Sequence, residues 1–242
     1  MLRGTRPSTL DLRMRRKRGN IMGGRGATSH RNRNGVMGRM PNWPDFLRFA
    51  SQSDAIQWHE QNSFNWERWN NLLTDAERLG IQRYTGSWYS TMNTDLREGK
   101  VSSEAIQRLI DGATSGLAKW QATHDVITFR GSNLHWTANL LGGTEAQMSD
   151  AAFLRSKIGK LVTDKGFMSS GTHKDSSWTA DVDYTIFVRK GTKGMYVDPI
   201  SLNSGEYEFL FNRDTTFKVH MIRTDSSGKI VELVLEAKKS KR

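Results

Sequence analysis

Apolar residues recur at helical spacing through the first half of the chain and at strand spacing through the second. Between Pro44 and Gly80, Phe46, Phe49, Ala50, Ile56 and Trp58 fit short amphipathic helices, and Trp66, Trp69, Leu72 and Leu73 extend one stripe. Thr74-Asp75-Ala76-Glu77 matches a capping box, so a further helix is expected to start after Thr74. Tyr89 and Asn93 are four apart and share a helical face, and Gly99 sits where a left-handed cap would end that segment. Ile106, Leu109, Ile110, Ala113 and Leu117 predict a helix over 103–119.

At Asp125 the period changes. Val126 to Phe129 is a β-branched and aromatic run closed by Arg130-Gly131, and a loop holding Gly142-Gly143 is expected to follow. A helix is predicted from Ala151 to Val162, then a short strand ending at Phe167-Met168-Ser169-Ser170-Gly171, then a polar loop from Thr172 to Asp181. Strand signals are continuous from Asp183: Tyr184 to Val188, Gly194 to Val197, a strand opened by Glu206-Tyr207-Glu208, Phe217 to Ile222, and Ile230 to Leu235. Helices followed by strands make this an α+β domain.

Composition alters this picture mainly at the N-terminus. Residues 1–41 hold ten Arg, one Lys and one Asp, a net +10 out of +11 for the whole chain, which leaves the remainder nearly neutral at +1. That segment has almost no periodic apolar pattern, so residues 1–41 are expected to be a basic disordered arm and 42–242 the folded domain. The run from Arg13 to Arg18 could meet nucleic acid or another acidic surface, or simply solubilise the chain. Met22-Gly23-Gly24-Arg25 is a second possible start of translation.

Cysteine is absent, which excludes disulfides, thiolate zinc sites and cysteine nucleophiles and suits a reducing cytosol. The six His show no paired metal spacing, and neither a P-loop nor a dinucleotide-binding glycine fingerprint occurs. No apolar run nears the roughly 20 residues that span a bilayer, and no apolar stretch follows the basic N-terminus as a signal peptide requires.

The chemistry-bearing residues are few. Glu206 and Glu208 alternate with Tyr207, so on a strand they would share one face. Two adjacent carboxylates resist ionising together, and such a pair can divide labour between stabilising a cation and moving a proton; it can also be an edge strand that merely carries two glutamates. Arg130 beside Gly131 places a fork of N–H donors next to bare backbone, which suits a phosphate or carboxylate, or a structural partner.

The order of an aromatic helix, a strand Arg-Gly, a strand ending Phe-Met-Ser-Ser and then Glu-Tyr-Glu resembles the mono-ADP-ribosyltransferases of the Arg–Ser–Glu class, which include binary-toxin enzymatic components and phage-encoded transferases. The resemblance runs over about residues 44–237. It implies helices packed on a mixed two-sheet β core, with NAD as substrate and no metal. Arg130 matches the arginine that holds NAD phosphate and ribose, and Gly131 the backbone that meets the nicotinamide amide. Ser169 matches the serine that orients the catalytic glutamate; Gly171 stands where the family has a third serine. Glu208 matches the catalytic glutamate and Glu206 the acidic residue two before it, whose identity as Glu goes with arginine acceptors. Tyr84, Tyr89 and Asn93 match the helix that packs over NAD. Residues 171–181 match a covering loop and 199–206 a substrate-recognising turn. Arg97 completes the helix pattern but equally fits a structural ion pair.

The expected activity is transfer of ADP-ribose from NAD to a protein side chain, an arginine. An NAD glycohydrolase on the same site and a non-catalytic interaction domain with a nucleic-acid-binding arm are the alternatives. The expected setting is a monomer without membrane attachment, in a bacterial cytoplasm or carried in a phage particle.

Overall fold

The computed structural model describes residues 35–177 and 180–239. Helices α1 (Gln52–Gln61), α2 (Ser63–Asn70), α3 (Asp75–Arg83), α4 (Tyr89–Glu98) and α5 (Glu104–Ala118) come first, with one π-helical turn, Tyr84–Trp88, joining α3 to α4. The capping box forms as the sequence predicts: the Thr74 hydroxyl accepts from the Glu77 N–H, and the Glu77 carboxylate accepts from the Thr74 N–H. Gly99 ends α4 at φ +68°, a conformation that only glycine adopts freely. Helices α3 and α5 cross backbone against backbone. A Cβ on Gly80 would lie 2.5 Å from the Leu109 carbonyl, and one on Gly112 2.5 Å from that of Ala76, so both positions require glycine.

Among the described residues nine strands form one sheet in the order β1-β8-β9-β5-β2-β4-β7-β6, with β3 also on β8. They are β1 (Val36–Gly38), β2 (Val126–Ser132), β3 (Leu161–Asp164), β4 (Met168–Gly171), β5 (Val182–Val188), β6 (Gly194–Tyr196), β7 (Glu208–Phe211), β8 (Thr215–Thr224) and β9 (Ile230–Ala237). Only β5–β9 is parallel. The two sheets expected from the sequence are two halves of one hydrogen-bonded path. Seven register pairs join β2 to β5, but a single pair, Phe129 with Gly171, joins β2 to β4.

The apolar core is not divided between the halves: one cluster joins Met168, Phe209 and Phe211 of β4 and β7 to residues of β5, β8 and β9. Trp69, Ile81, Met92, Ile110 and Leu117 of the helices close over Phe167, Met195 and Leu210 beside β4, β6 and β7. Two further helices, α6 (Leu134–Leu141) and α7 (Ala151–Lys157), cover the other half with Leu141 and Leu154 against Tyr184, Ile186, Phe217 and Leu235.

Several sequence expectations need correction. Residues 36–38 belong to the sheet rather than to a disordered arm: β1 pairs with Arg223, Ile222 and Met221, and Met37 is buried. Three residues are too short a run to show a strand period. Residues 1–34 of the proposed arm lie outside the described residues. The segment before Gly142 contains α6 instead of a loop, capped by the Asn133 side chain and by Gly142 at φ +66°. Helix α7 stops at Lys157, because Gly159 turns at φ +79° and Leu161–Asp164 pairs with β8. The strand at the glutamates starts at Glu208, so Glu206 lies outside it.

Candidate active site

The narrow junction between the halves of the sheet opens a cleft of about 240 Å³, lined by Tyr84, Tyr89, Asn93, Arg130, Ser169, Asn203, Glu206 and Glu208. Arg130 comes from β2, Ser169 from β4 and Glu208 from β7. The Arg130 Nη1 donates to the Ser169 carbonyl at 2.7 Å and so staples β2 to β4 beyond their one shared pair. Among the described residues its other N–H groups have no hydrogen-bond partner.

Glu208 is 3% exposed, an unusual setting for a carboxylate. Burial pushes its pKa up; a hydrogen bond from Ser169 opposes this, the Glu206 charge adds to it, and Arg130 pulls back, leaving it at about 7. Burial also raises Glu206, and the Asp198 charge raises it further. The pair is therefore electrostatically coupled as the sequence implied.

Their geometry is different from the expectation. Tyr207 takes φ +51°, which breaks strand alternation, so Glu206 does not share a strand face with Glu208. Glu208 is locked into the ladder opposite Gly171. Gly171, where a third serine was expected, thus lies directly against the buried carboxylate's strand position. Ser170 turns its hydroxyl to the Phe209 carbonyl at 3.1 Å.

Tyr84 and Asn93 form the cleft's rear wall by satisfying each other and the backbone. Asn93 donates to the Tyr84 hydroxyl at 3.1 Å and accepts from the Phe167 N–H at 2.8 Å, while the Tyr84 hydroxyl donates to the Phe167 carbonyl at 3.3 Å. This ties α4 to the start of β4. Tyr89 is 54% exposed at the mouth, and its ring meets that of Tyr84 edge-on at 6.5 Å. Arg97 takes the structural alternative. It grips Asp164 with two bonds, at 2.9 and 2.8 Å, and lies over the Trp136 ring.

The sequence reading placed a turn at 199–206 but missed Asp198, the residue that anchors it. Asp198 accepts from the N–H groups of Gly205 and Tyr207, and Asn203 donates to the Thr85 carbonyl at 2.9 Å, tethering the turn to the π-helical segment. Asp198-Pro199 is a recognisable turn start, and that signal was available. Of the covering loop, Trp178 lies outside the described residues; Ser177 is beside the cleft. Among the described residues no three His, Asp or Glu side chains converge as a metal site would need, and no helix is long and apolar enough to cross a membrane.

Comparison with known proteins agrees with this architecture. The family model described as ADP-ribosyltransferase exoenzyme matches residues 55–242. Secreted exoenzyme S of Pseudomonas aeruginosa is 32% identical over 169 residues, 68% of this chain and 33% of that protein. The NAD(+)–arginine ADP-ribosyltransferase EFV of Enterococcus faecalis is 25% identical over 185 residues, 75% of this chain and 34% of that one. The chain thus spans about a third of the length of these two relatives. The crystal structure of C3stau2 from S. aureus with NAD superposes with a TM-score of 0.65 at 20% identity, covering 81% of this chain and all of that one, a likeness of fold.

Proposed function

Since the chain belongs to the ADP-ribosyltransferase exoenzyme family, we propose that it transfers ADP-ribose from NAD to an arginine side chain of a protein and releases nicotinamide. The observation that carries this reading is the buried Glu208 facing a cleft that also presents Arg130 and Ser169 and is edged by a second glutamate. The cleft suits NAD: it offers the free donors of one fixed guanidinium for phosphate, bare backbone at Gly131, and an aromatic wall for the nicotinamide end.

Each residue then has a task. Arg130 offsets the pyrophosphate charge with its remaining N–H groups. Glu208, once ionised, accepts from a ribose hydroxyl and stabilises the positive charge that grows on the ribose as the bond to nicotinamide breaks; nicotinamide leaves with the electron pair. Ser169 keeps the Glu208 carboxylate oriented. Glu206, half-buried beside the opening, takes the proton lost by the arginine nitrogen as that nitrogen bonds to the ribose carbon. An arginine acceptor is supported by Glu at position 206 and by the arginine-directed relative from Enterococcus faecalis.

Nicotinamide release and arginine labelling measured side by side test the reading. Glu208→Gln should remove both. Glu206→Gln should remove labelling and spare much of the release, which would then run to water. Full activity of Glu208→Gln in both assays would overturn the assignment of this site.

A further inference from the structure

Tyr207 stands between the two glutamates at φ +51°, in the left-handed region that bulky side chains rarely occupy. Such a conformation persists only when its surroundings over-determine it. Here both sides of the residue are held. Its N–H donates to Asp198 Oδ1 at 2.7 Å, and the same carboxylate accepts from the Gly205 N–H at 3.0 Å. Its carbonyl accepts from the Thr172 N–H at 3.2 Å and from the Thr172 hydroxyl at 3.4 Å. Thr172 is 2% exposed, and its hydroxyl also lies 3.2 Å from His59 Nε2. A hydroxyl has one proton; with that proton on the Tyr207 carbonyl, His59 is the donor to Thr172. His59 is itself fixed by stacking on Tyr196, ring centroids 3.5 Å apart.

We infer that Asp198 and Thr172 are positioning residues that clamp Tyr207 in its left-handed conformation and thereby aim Glu206 at the acceptor, so that they set the partition between transfer to arginine and hydrolysis by water. The inference rests on the transferase reading of the site. Glu208, Ser169 and Arg130 are placed by the strand ladder and do not depend on the clamp. Glu206 precedes the strand, and its direction depends on the backbone at 207. With an extended Tyr207, Glu206 would fall into strand alternation on the face of Glu208 and lose the offset position at which the turn now holds it.

The test compares arginine labelling and nicotinamide release in the parent chain, Asp198→Ala, Thr172→Val, and Asp198→Ala combined with Tyr207→Gly, with thermal melts as the check of folding. Asp198→Ala should lower labelling about tenfold relative to release, through loss of the carboxylate that accepts from Tyr207 and Gly205. Thr172→Val keeps the shape and the N–H and removes one of two donors, so the same ratio should fall about threefold; it carries the test if Asp198→Ala does not fold. Glycine takes positive φ without strain, so adding Tyr207→Gly should restore much of the ratio. A generally structural role would depress both reactions alike and gain nothing from glycine. An unchanged ratio in the variants, or no rescue, overturns the inference while leaving the transferase reading intact. Absence of nicotinamide release from the parent chain overturns both.

Discussion

At the residue scale, the buried carboxylate of Glu208 couples activity to pH. Glu208 must be ionised to stabilise a cation, and its pKa in the free protein is raised to about 7. The second-order rate constant with NAD should therefore fall as pH drops below about 7, and Glu208→Gln should cut the rate by about 10²–10³. The same residue costs stability. Its folded pKa lies above its ordinary value of 4.5, so between the two the folded chain keeps a proton that the unfolded chain has lost. That contribution to stability is whole below the unfolded value and drains away as pH rises to the folded one. The melting advantage of Glu208→Gln over the parent should accordingly grow from about pH 5 to about pH 8, as scanning calorimetry can follow. Arg130→Ala should abolish NAD binding in a calorimetric titration and also loosen the cleft, because the same side chain bonds the Ser169 carbonyl. Equal affinities would remove Arg130 from the site.

At the scale of elements, the contact between α3 and α5 has no room for a methyl group. Gly112→Ala would place carbon 2.5 Å from the Ala76 carbonyl and should destabilise the domain by about 1–3 kcal/mol in urea unfolding. Much of this level was legible in the sequence. The capping box at Thr74, the α5 stripe and the central strands lie where local pattern and capping chemistry put them, because there local preference and burial agree. Local reasoning failed where long-range pairing decides: Val162 looks like the end of an apolar helical face until β8 offers a strand partner. It failed again at Glu206, since alternation is a property of extended backbone and nothing in Glu-Tyr-Glu announces a left-handed tyrosine. The residues that make this turn, Asp198 and Thr172, lie 9 and 35 positions from Tyr207. Their role depends on contact across the fold. Arg130, Ser169 and Glu208, proposed from residue type and order without any geometry, line one cleft.

On the scale of the whole molecule, the chain enters its own sheet early. β1 lies against β8, and just beyond it Trp43 and Phe46 pack on Phe187 while Arg189 covers both rings at 4.1 and 4.9 Å. A deletion that stops at residue 34 and one that runs to residue 41 should therefore differ. The longer one removes β1 and the buried Met37, and should melt several degrees lower, about 1–2 kcal/mol for one buried side chain and its strand pairing. Equal melting would show that β1 adds nothing to the fold.

The lone residue pair between β2 and β4 has a kinetic consequence. In hydrogen bonds the seam is spanned by one residue pair and one arginine, and there the amide protons of the two halves should part company in deuterium exchange, although apolar side chains pack across it. Amides of β4, β6 and β7 should exchange together, at a rate distinct from those of β2, β5, β8 and β9. A dinucleotide gripping Arg130 on one side and the Glu208 strand on the other would bridge the seam, and adding NAD should bring the two rates together.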